Sequence, residues 1–166
     1  MSLRGSTTVS DRIFACLAYL LPLLDLIVLV SGPLIRTRSF FTPLLEIIAL
    51  PLSPLLAVYF SLGGITAFIV FFALFLLVVR NESIPHFIRF NVMQAILFGI
   101  VLSIIGIIWR YVLAGIFGTE EFLTQTLFNA IFLGMVVAVG YSVVQSALGR
   151  YAEIPTISDA VYLQVR

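Results

Sequence analysis

Long apolar stretches dominate the hydrophobic pattern of this chain, and four of them approach the length of a membrane-spanning helix. Such a helix needs about 20 apolar residues to cross a hydrocarbon core of about 30 Å. The pattern predicts spans near residues 13–32, 64–80, 88–110 and 124–148, and the second is only just long enough. Hydrophobic residues make up 61% of the chain and charged residues 10%, too little polar surface for a water-soluble globule. We therefore predict an all-α, polytopic membrane protein in which residues 1–166 form one four-helix bundle.

The stretch between the first two predicted spans is apolar but interrupted by prolines. Residues 31–62 contain four of them: Pro33, Pro43, Pro51 and Pro54. A proline inside a helix removes a backbone donor and clashes with the preceding turn. The pattern therefore predicts short helices that lie in or dip into the membrane interface, rather than a continuous span.

Arginines in the flanks indicate the orientation. An even number of spans puts both termini on one side, together with the connector 80–89. That side then carries six arginines and the other side three: Arg4, Arg12, Arg80, Arg89, Arg150 and Arg166 against Arg36, Arg38 and Arg110. By the positive-inside rule we expect both termini in the cytoplasm or its organellar equivalent. Thr119, followed by two Glu, predicts the start of the fourth helix and Gly149 its end.

Small residues recur at a spacing of four in the last two spans. The fourth helix carries five of them and the third carries three: Ala130, Gly134, Ala138, Ser142 and Ser146, then Ala95, Gly99 and Ser103. Small side chains let helix backbones approach closely. The rows therefore predict a helix-packing face, and two alternatives stay open: packing of these helices within the bundle, or self-association of two copies.

Four polar residues fall inside the spans near the side of the termini. Asn91 and Gln94 lie three apart on the third helix, and Tyr141 and Gln145 lie four apart on the fourth. Mutual hydrogen bonding that fixes the bundle is one explanation. The other is a polar crevice open to that side, because polar groups inside a membrane tend to face the bundle or water.

Asp25 is an acid within the first span, which makes it a candidate for function. A single carboxylate with no second acid or His at membrane depth is a poor proton relay. We therefore favour a structural role for Asp25, either in a pair for which Arg110, Arg36 or Arg38 could supply the cation, or at a position near the membrane interface.

Charge and motifs exclude several classes of function. All nine basic residues are Arg and the formal net charge is +1, which gives no basis for nucleic-acid binding. The lone Cys16 rules out an internal disulfide and a Cys-based metal site. The sequence has no Gly-x-Ser-x-Gly, no His-Glu-x-x-His and no pair of membrane aspartates. We predict that the chain is not an enzyme and has no cofactor, no metal and no catalytic residues.

A resemblance to a known family rests on several motifs. Residues 89–96 read Arg-Phe-Asn-Val-Met-Gln-Ala-Ile and are preceded by Val-Val-Arg-Asn at 78–81. With Leu-Leu-Pro-Leu-Leu-Asp at 20–25 and the stretch 154–160, the chain resembles the Tic20 family. These are four-helix membrane proteins of the chloroplast inner-envelope protein translocon, with cyanobacterial relatives. The likeness covers nearly the whole chain, but the apolar run 26–30 departs from the family pattern.

The resemblance implies a part in moving precursor proteins across a membrane, with both termini stromal or cytosolic. The expected location is a cyanobacterial plasma or thylakoid membrane, or the plastid inner envelope. Partners would be the lipid bilayer, other membrane subunits and translocating precursors, and a homo-oligomer stays open. Two functions are compatible: a translocon subunit that shapes a polypeptide path or scaffolds the complex, and a non-conducting assembly partner of another membrane complex, for example a photosynthetic one.

Overall fold

The first two helices form a nearly continuous rod. A computed structural model describes residues 7–59, 61, 65–117 and 121–165. In it, α1 (Val9–Ala18) begins with a reciprocal cap between Thr8 and Asp11, and α2 (Leu20–Arg36) follows after one residue. That residue precedes a proline by three positions. Since this proline, Pro22, has no N–H to donate to the preceding turn, the helix of the first span is interrupted at this junction.

Two helices, α3 (Thr42–Tyr59) and α4 (Ile65–Leu74), follow, and α4 continues into a π-helical turn over Phe75–Val79. This part differs from the expected short interfacial helices, because α3 is one helix of 18 residues that includes Pro51 and Pro54. In a regular helix the Leu50 carbonyl would accept the N–H of residue 54, which Pro54 lacks. The Ser53 hydroxyl donates to this carbonyl instead, at 2.8 Å.

The remaining helices begin and end close to the predicted positions. The third span is α5 (His86–Ile108), which continues through a π-helical turn (Trp109–Leu113) into the short α6 (Ala114–Phe117). The fourth is α7 (Glu121–Ala147). The predicted cap Thr119 lies outside the described residues.

Gly149 ends α7 as predicted, and a short helix follows it. With φ at +73°, Gly149 donates its N–H to Ser146, and Arg150 donates to Gln145, the pairing of a Schellman cap. The chain then turns into α8 (Ile157–Gln164), which packs on α5.

The predicted helical membrane bundle is confirmed. Four helical stretches of the described chain are long and apolar enough to cross a membrane: Val9–Arg36, Thr42–Tyr59, His86–Phe117 and Glu121–Ala147. The expected second span near 64–80 corresponds to the shorter helix Ile65–Val79, so α3 takes its place among the four.

The rod of α1 and α2 is the centre of the bundle. Both α5 and α7 pack along it, and α3 packs on its α2 half. The core between them consists of buried apolar side chains, of which the largest include Leu26, Leu34, Phe128 and Phe132. The third and fourth spans therefore meet the first rather than chiefly each other.

Three helix ends lie together at one end of the bundle. A β-carbon added at Gly149, after α7, would lie 2.5 Å from the Thr7 hydroxyl oxygen, just before α1. The Tyr151 hydroxyl lies 3.1 Å from Nδ1 of His86, the first residue of α5. At the other end, the Ser39 hydroxyl donates to Asn129 at 2.5 Å and joins the turn after α2 to α7.

Candidate functional site

A buried polar network joins α5 to the centre of the bundle. The Tyr19 hydroxyl, at the junction of α1 and α2, lies 2.8 Å from Oδ1 of Asn91 and 2.7 Å from Oε1 of Gln94. Its single proton can be donated to only one of these oxygens at a time. The Ser146 hydroxyl donates a second hydrogen bond to Asn91 Oδ1 at 2.7 Å, which adds α7 to the network.

The network is closed at its edges by backbone groups. The Asn91 amide donates to the Phe87 carbonyl at 2.8 Å, and the Gln94 amide donates to the Ala152 carbonyl at 2.9 Å. Asn91, Gln94 and Ala152 are all 0% exposed. These polar groups bond to one another and to backbone carbonyls. The network therefore holds α1, α5, α7 and the C-terminal segment together.

The structure does not bring the four expected crevice residues to one site. Asn91 and Gln94 belong to the closed network, whereas Tyr141 is 42% exposed and Gln145 is half-buried. Sequence reasoning missed Tyr19, the residue that joins the network. An aromatic residue in an apolar stretch looks like ordinary core, and only the position beside a proline-disturbed turn marks it as unusual.

The small-residue row of α7 is buried at one end and exposed at the other. Ser142 and Ser146 are buried against the first rod, but Ala130 and Gly134 are exposed. A β-carbon added at Gly134 would meet no atom of the described residues within 4 Å. Ala138, between them, is partly buried. The row in α7 therefore turns from the packed face onto the outer surface.

The first two residues of the small-residue row in α5 face the rod of α1 and α2. Ala95 and Gly99 are buried, whereas Ser103 is exposed. A β-carbon added at Gly99 would lie 3.0 Å from Oδ2 of Asp25, so the absence of a side chain there lets the carboxylate approach the α5 backbone.

Asp25 pairs with a hydroxyl and not with one of the expected arginines. Its carboxylate is hydrogen-bonded to Tyr59, the last residue of α3, which is 7% exposed. The expected partner Arg110 instead lies 5.9 Å from the centre of the Tyr111 ring. The sequence pattern did not predict this pair, because Asp25 and Tyr59 are 34 residues apart. The prolines in α3 also argued against a helix that could bring the two together.

Two neighbouring hollows lie beside this pair. One has a volume of about 410 Å³ and is lined by Asp25, Tyr59, Gly99 and Ser103 among apolar side chains. The other, about 620 Å³, is apolar and reaches toward the connector before α5, with Ser83 and Pro85 in its lining. Leu21 and Tyr59 line both hollows, so the two are adjacent.

The described residues contain no cluster of three His, Cys, Asp or Glu side chains that could hold a metal ion. What they contain is a tightly packed helical interior with a closed polar network, and outer faces that are strongly apolar. That combination defines a helical integral membrane protein.

Comparison with known proteins gives the family. Residues 9–161 match the family described as "Chloroplast import apparatus Tic20-like". The chain belongs to the Tic20 family, as the motif resemblance predicted.

Relatives come from cyanobacteria, red algae and plants. A Tic20 family protein of Synechocystis is 48% identical over 156 residues, which cover 94% of this chain and 93% of the relative. The Tic20 family protein Ycf60 of Gracilaria tenuistipitata is 33% identical over 161 residues, covering 95% and 76%. The Arabidopsis protein TIC 20-I, chloroplastic, is 33% identical over 98 residues, covering 57% of this chain and 34% of the plant protein.

Proposed function

We propose that this chain is a membrane subunit of a protein translocation complex, in which the closed bundle forms a wall or scaffold beside the polypeptide path. Membership of a family described by chloroplast protein import supports this role. The observation that carries the finer proposal is the closed interior. Because the buried network and core fill the space between α1, α2, α5 and α7, a translocating chain would pass outside the bundle, between it and partner subunits.

The outer faces supply surfaces for such partners. Every residue of α4 is at least partly exposed, and Ile69 and Phe72 lie on its outer side. On α7, Leu133 and Val137 are exposed beside Gly134. These faces must lie against lipid or another protein, and the absence of a side chain at Gly134 suits close helix packing in a membrane.

A closed interior is equally suited to a non-conducting role. The second candidate is therefore an assembly or stabilising partner of another membrane complex, such as a photosynthetic one. Both candidates use the chain as a protein-binding scaffold in a cyanobacterial or plastid membrane, and in neither does it act as an enzyme.

Co-purification after mild solubilisation separates the two candidates. The full chain carrying an affinity tag is isolated from native membranes, and its partners are identified by mass spectrometry. The translocation proposal expects components of protein import or secretion at near-stoichiometric amounts. Recovery of a photosynthetic or respiratory complex in their place would overturn it and support the second candidate.

A further inference from the structure

The hollow beside Asp25 has the properties of a binding site. It lies where the end of α3 and the start of α4 meet α2 and α5, and Asp25, Tyr59 and Ser103 supply its polar groups. The rest of the lining is apolar: Leu21, Ala67, Phe68, Phe71, Ile96 and Ile104 among others. A volume of about 410 Å³ is in the range of small-molecule pockets, which combine an apolar lining with a few polar groups.

This pocket lies deep in the membrane. At a rise of roughly 1.5 Å per residue, Asp25 is about 24 Å from the start of the rod at Val9 and about 16 Å from its end at Arg36. Gly99, against which the carboxylate packs, is by the same measure about 20 Å from the start of α5. Molecules that reach the pocket must therefore come from the hydrocarbon region of the bilayer.

The carboxylate keeps unused acceptor capacity. Its two oxygens offer about four lone-pair positions, and the Tyr59 hydroxyl can donate one hydrogen bond. Among the described residues, the side chains that line the pocket include no Arg and no His to supply a cation. An acid that faces an apolar hollow and has unused acceptor positions favours a ligand that carries a hydrogen-bond donor.

We propose that this pocket binds a membrane-dissolved molecule with one long apolar chain and a hydrogen-bond-donating end group, a hydroxyl or an ammonium. The end group donates to Asp25, in the same pocket that Ser103 lines. The chain lies among the apolar side chains and extends past Leu21 and Tyr59 into the adjacent hollow of about 620 Å³. The ligand is thus a long-chain alcohol or amine, and the site is independent of the translocation role.

A second polar group lies one residue away, along the chain, from a residue of the pocket lining. The Thr66 hydroxyl oxygen, one residue before Ala67 in the lining, is buried without a hydrogen-bond partner in the described part of the chain. Buried polar groups of this kind are rare in folded proteins. The start of α4 therefore carries a buried hydroxyl whose hydrogen-bonding capacity is unused among the described residues.

Photoaffinity labelling in vesicles tests the proposal. The full chain in phosphatidylcholine vesicles is exposed to three diazirine-bearing C16 probes: an alcohol, an amine, and the methyl ether of the alcohol, which lacks the donor. Mass spectrometry locates the label. We expect labelling of the lining residues of α2, α4 and α5 by the alcohol, the amine or both, and at least about tenfold less by the ether.

Variants test the pocket itself. Asp25→Leu removes the acceptor, and Ser103→Phe fills the pocket from an exposed position; both should abolish the preference for a donor. Val101→Phe, on the same helix and exposed but outside the lining, is the matched control and should label like the wild type. Equal labelling by alcohol and ether in the wild-type protein would overturn the proposal without reference to any variant, as would unchanged donor preference in Asp25→Leu.

Discussion

The hydroxyl of Tyr19 lies 2.7 Å from Oε1 of Gln94, and this contact joins residues 75 positions apart at the centre of the bundle. Tyr19 occupies the single residue between α1 and α2, so its side chain projects from the most irregular point of the first span. Gln94 in turn donates to the Ala152 carbonyl beyond α7. One tyrosine therefore links the first span, the third span and the C-terminal segment.

Replacing Tyr19 with Phe should destabilise the bundle. The ring keeps its packing, but Asn91 and Gln94 lose a buried donor, at a cost of about 1–3 kcal/mol. SDS titration in mixed micelles measures the free energy of unfolding. Tyr141→Phe is the matched control, because Tyr141 is 42% exposed, and it should change the stability by less than about 0.5 kcal/mol. Equal effects of the two substitutions would contradict a closed network.

Gly149→Ala should weaken the end of α7. With φ at +73°, the backbone there disfavours a side chain by about 1–2 kcal/mol. The added β-carbon would also lie 2.5 Å from Thr7 Oγ1 and 2.9 Å from Arg12 Nε. Thermal denaturation in detergent should show a lower midpoint for this variant. Gly140→Ala is the control. Gly140 lies in the middle of α7, where an added β-carbon has no neighbour within 4 Å among the described residues, so this substitution should be neutral or stabilising. A stable Gly149→Ala variant would mean that the two ends do not meet.

Gly99→Leu and Gly134→Leu should differ sharply, although both glycines belong to the small-residue rows. At Gly99 a side chain would push against the Asp25 carboxylate, 3.0 Å from the first added carbon, so we expect loss of folded protein. At Gly134 the added β-carbon has no neighbour within 4 Å in the described part of the chain, so the monomer should stay folded. Yield and size-exclusion profiles in detergent measure both outcomes. A folded Gly134→Leu variant that no longer self-associates would assign this part of the row to a dimer face, and a misfolded one would contradict the packing described here.

Cysteine labelling should find both ends of the described chain on the same side of the membrane. After Cys16→Ala, single cysteines replace three exposed residues: Val9, Phe40 and Leu163. Val9 and Leu163 should react with an impermeant maleimide from the cytoplasmic side, and Phe40 from the other side. This follows from the arginine bias and from the meeting of Gly149 with Thr7. Reaction of Val9 and Leu163 from opposite faces would rule out an even number of spans.

Much of the fold follows from the sequence, and the exceptions have physical causes. The third and fourth spans are readable because their apolar runs are long and Gly149 provides a clear stop. α3 was less readable, because the cost of Pro54 is reduced by Ser53, whose hydroxyl satisfies the freed Leu50 carbonyl. The sequence cannot indicate that compensation, since many serines next to prolines make no such bond.

The polar sites could be predicted only in part. Asn91 and Gln94 stand out as polar residues at one helical face, and they do lie together. Their partner Tyr19 and the pairing of Asp25 with Tyr59 depend on how distant helices pack, which periodicity within one helix does not reveal. Tyr141 was grouped with Asn91 because of its depth in the membrane, and depth does not specify the face of a helix.

The most direct test of the translocation proposal is site-specific photocrosslinking to a stalled precursor. A photoreactive amino acid is placed at the exposed positions Phe72 of α4 and Val137 of α7, and at the buried position Phe132 as the matched interior control. If the polypeptide path runs outside the closed bundle, the precursor should crosslink to Phe72, Val137 or both, and not to Phe132. Precursor crosslinks at Phe132 would contradict the closed interior. Crosslinks at the outer positions to a resident membrane complex, with none to the precursor, would contradict the translocation role.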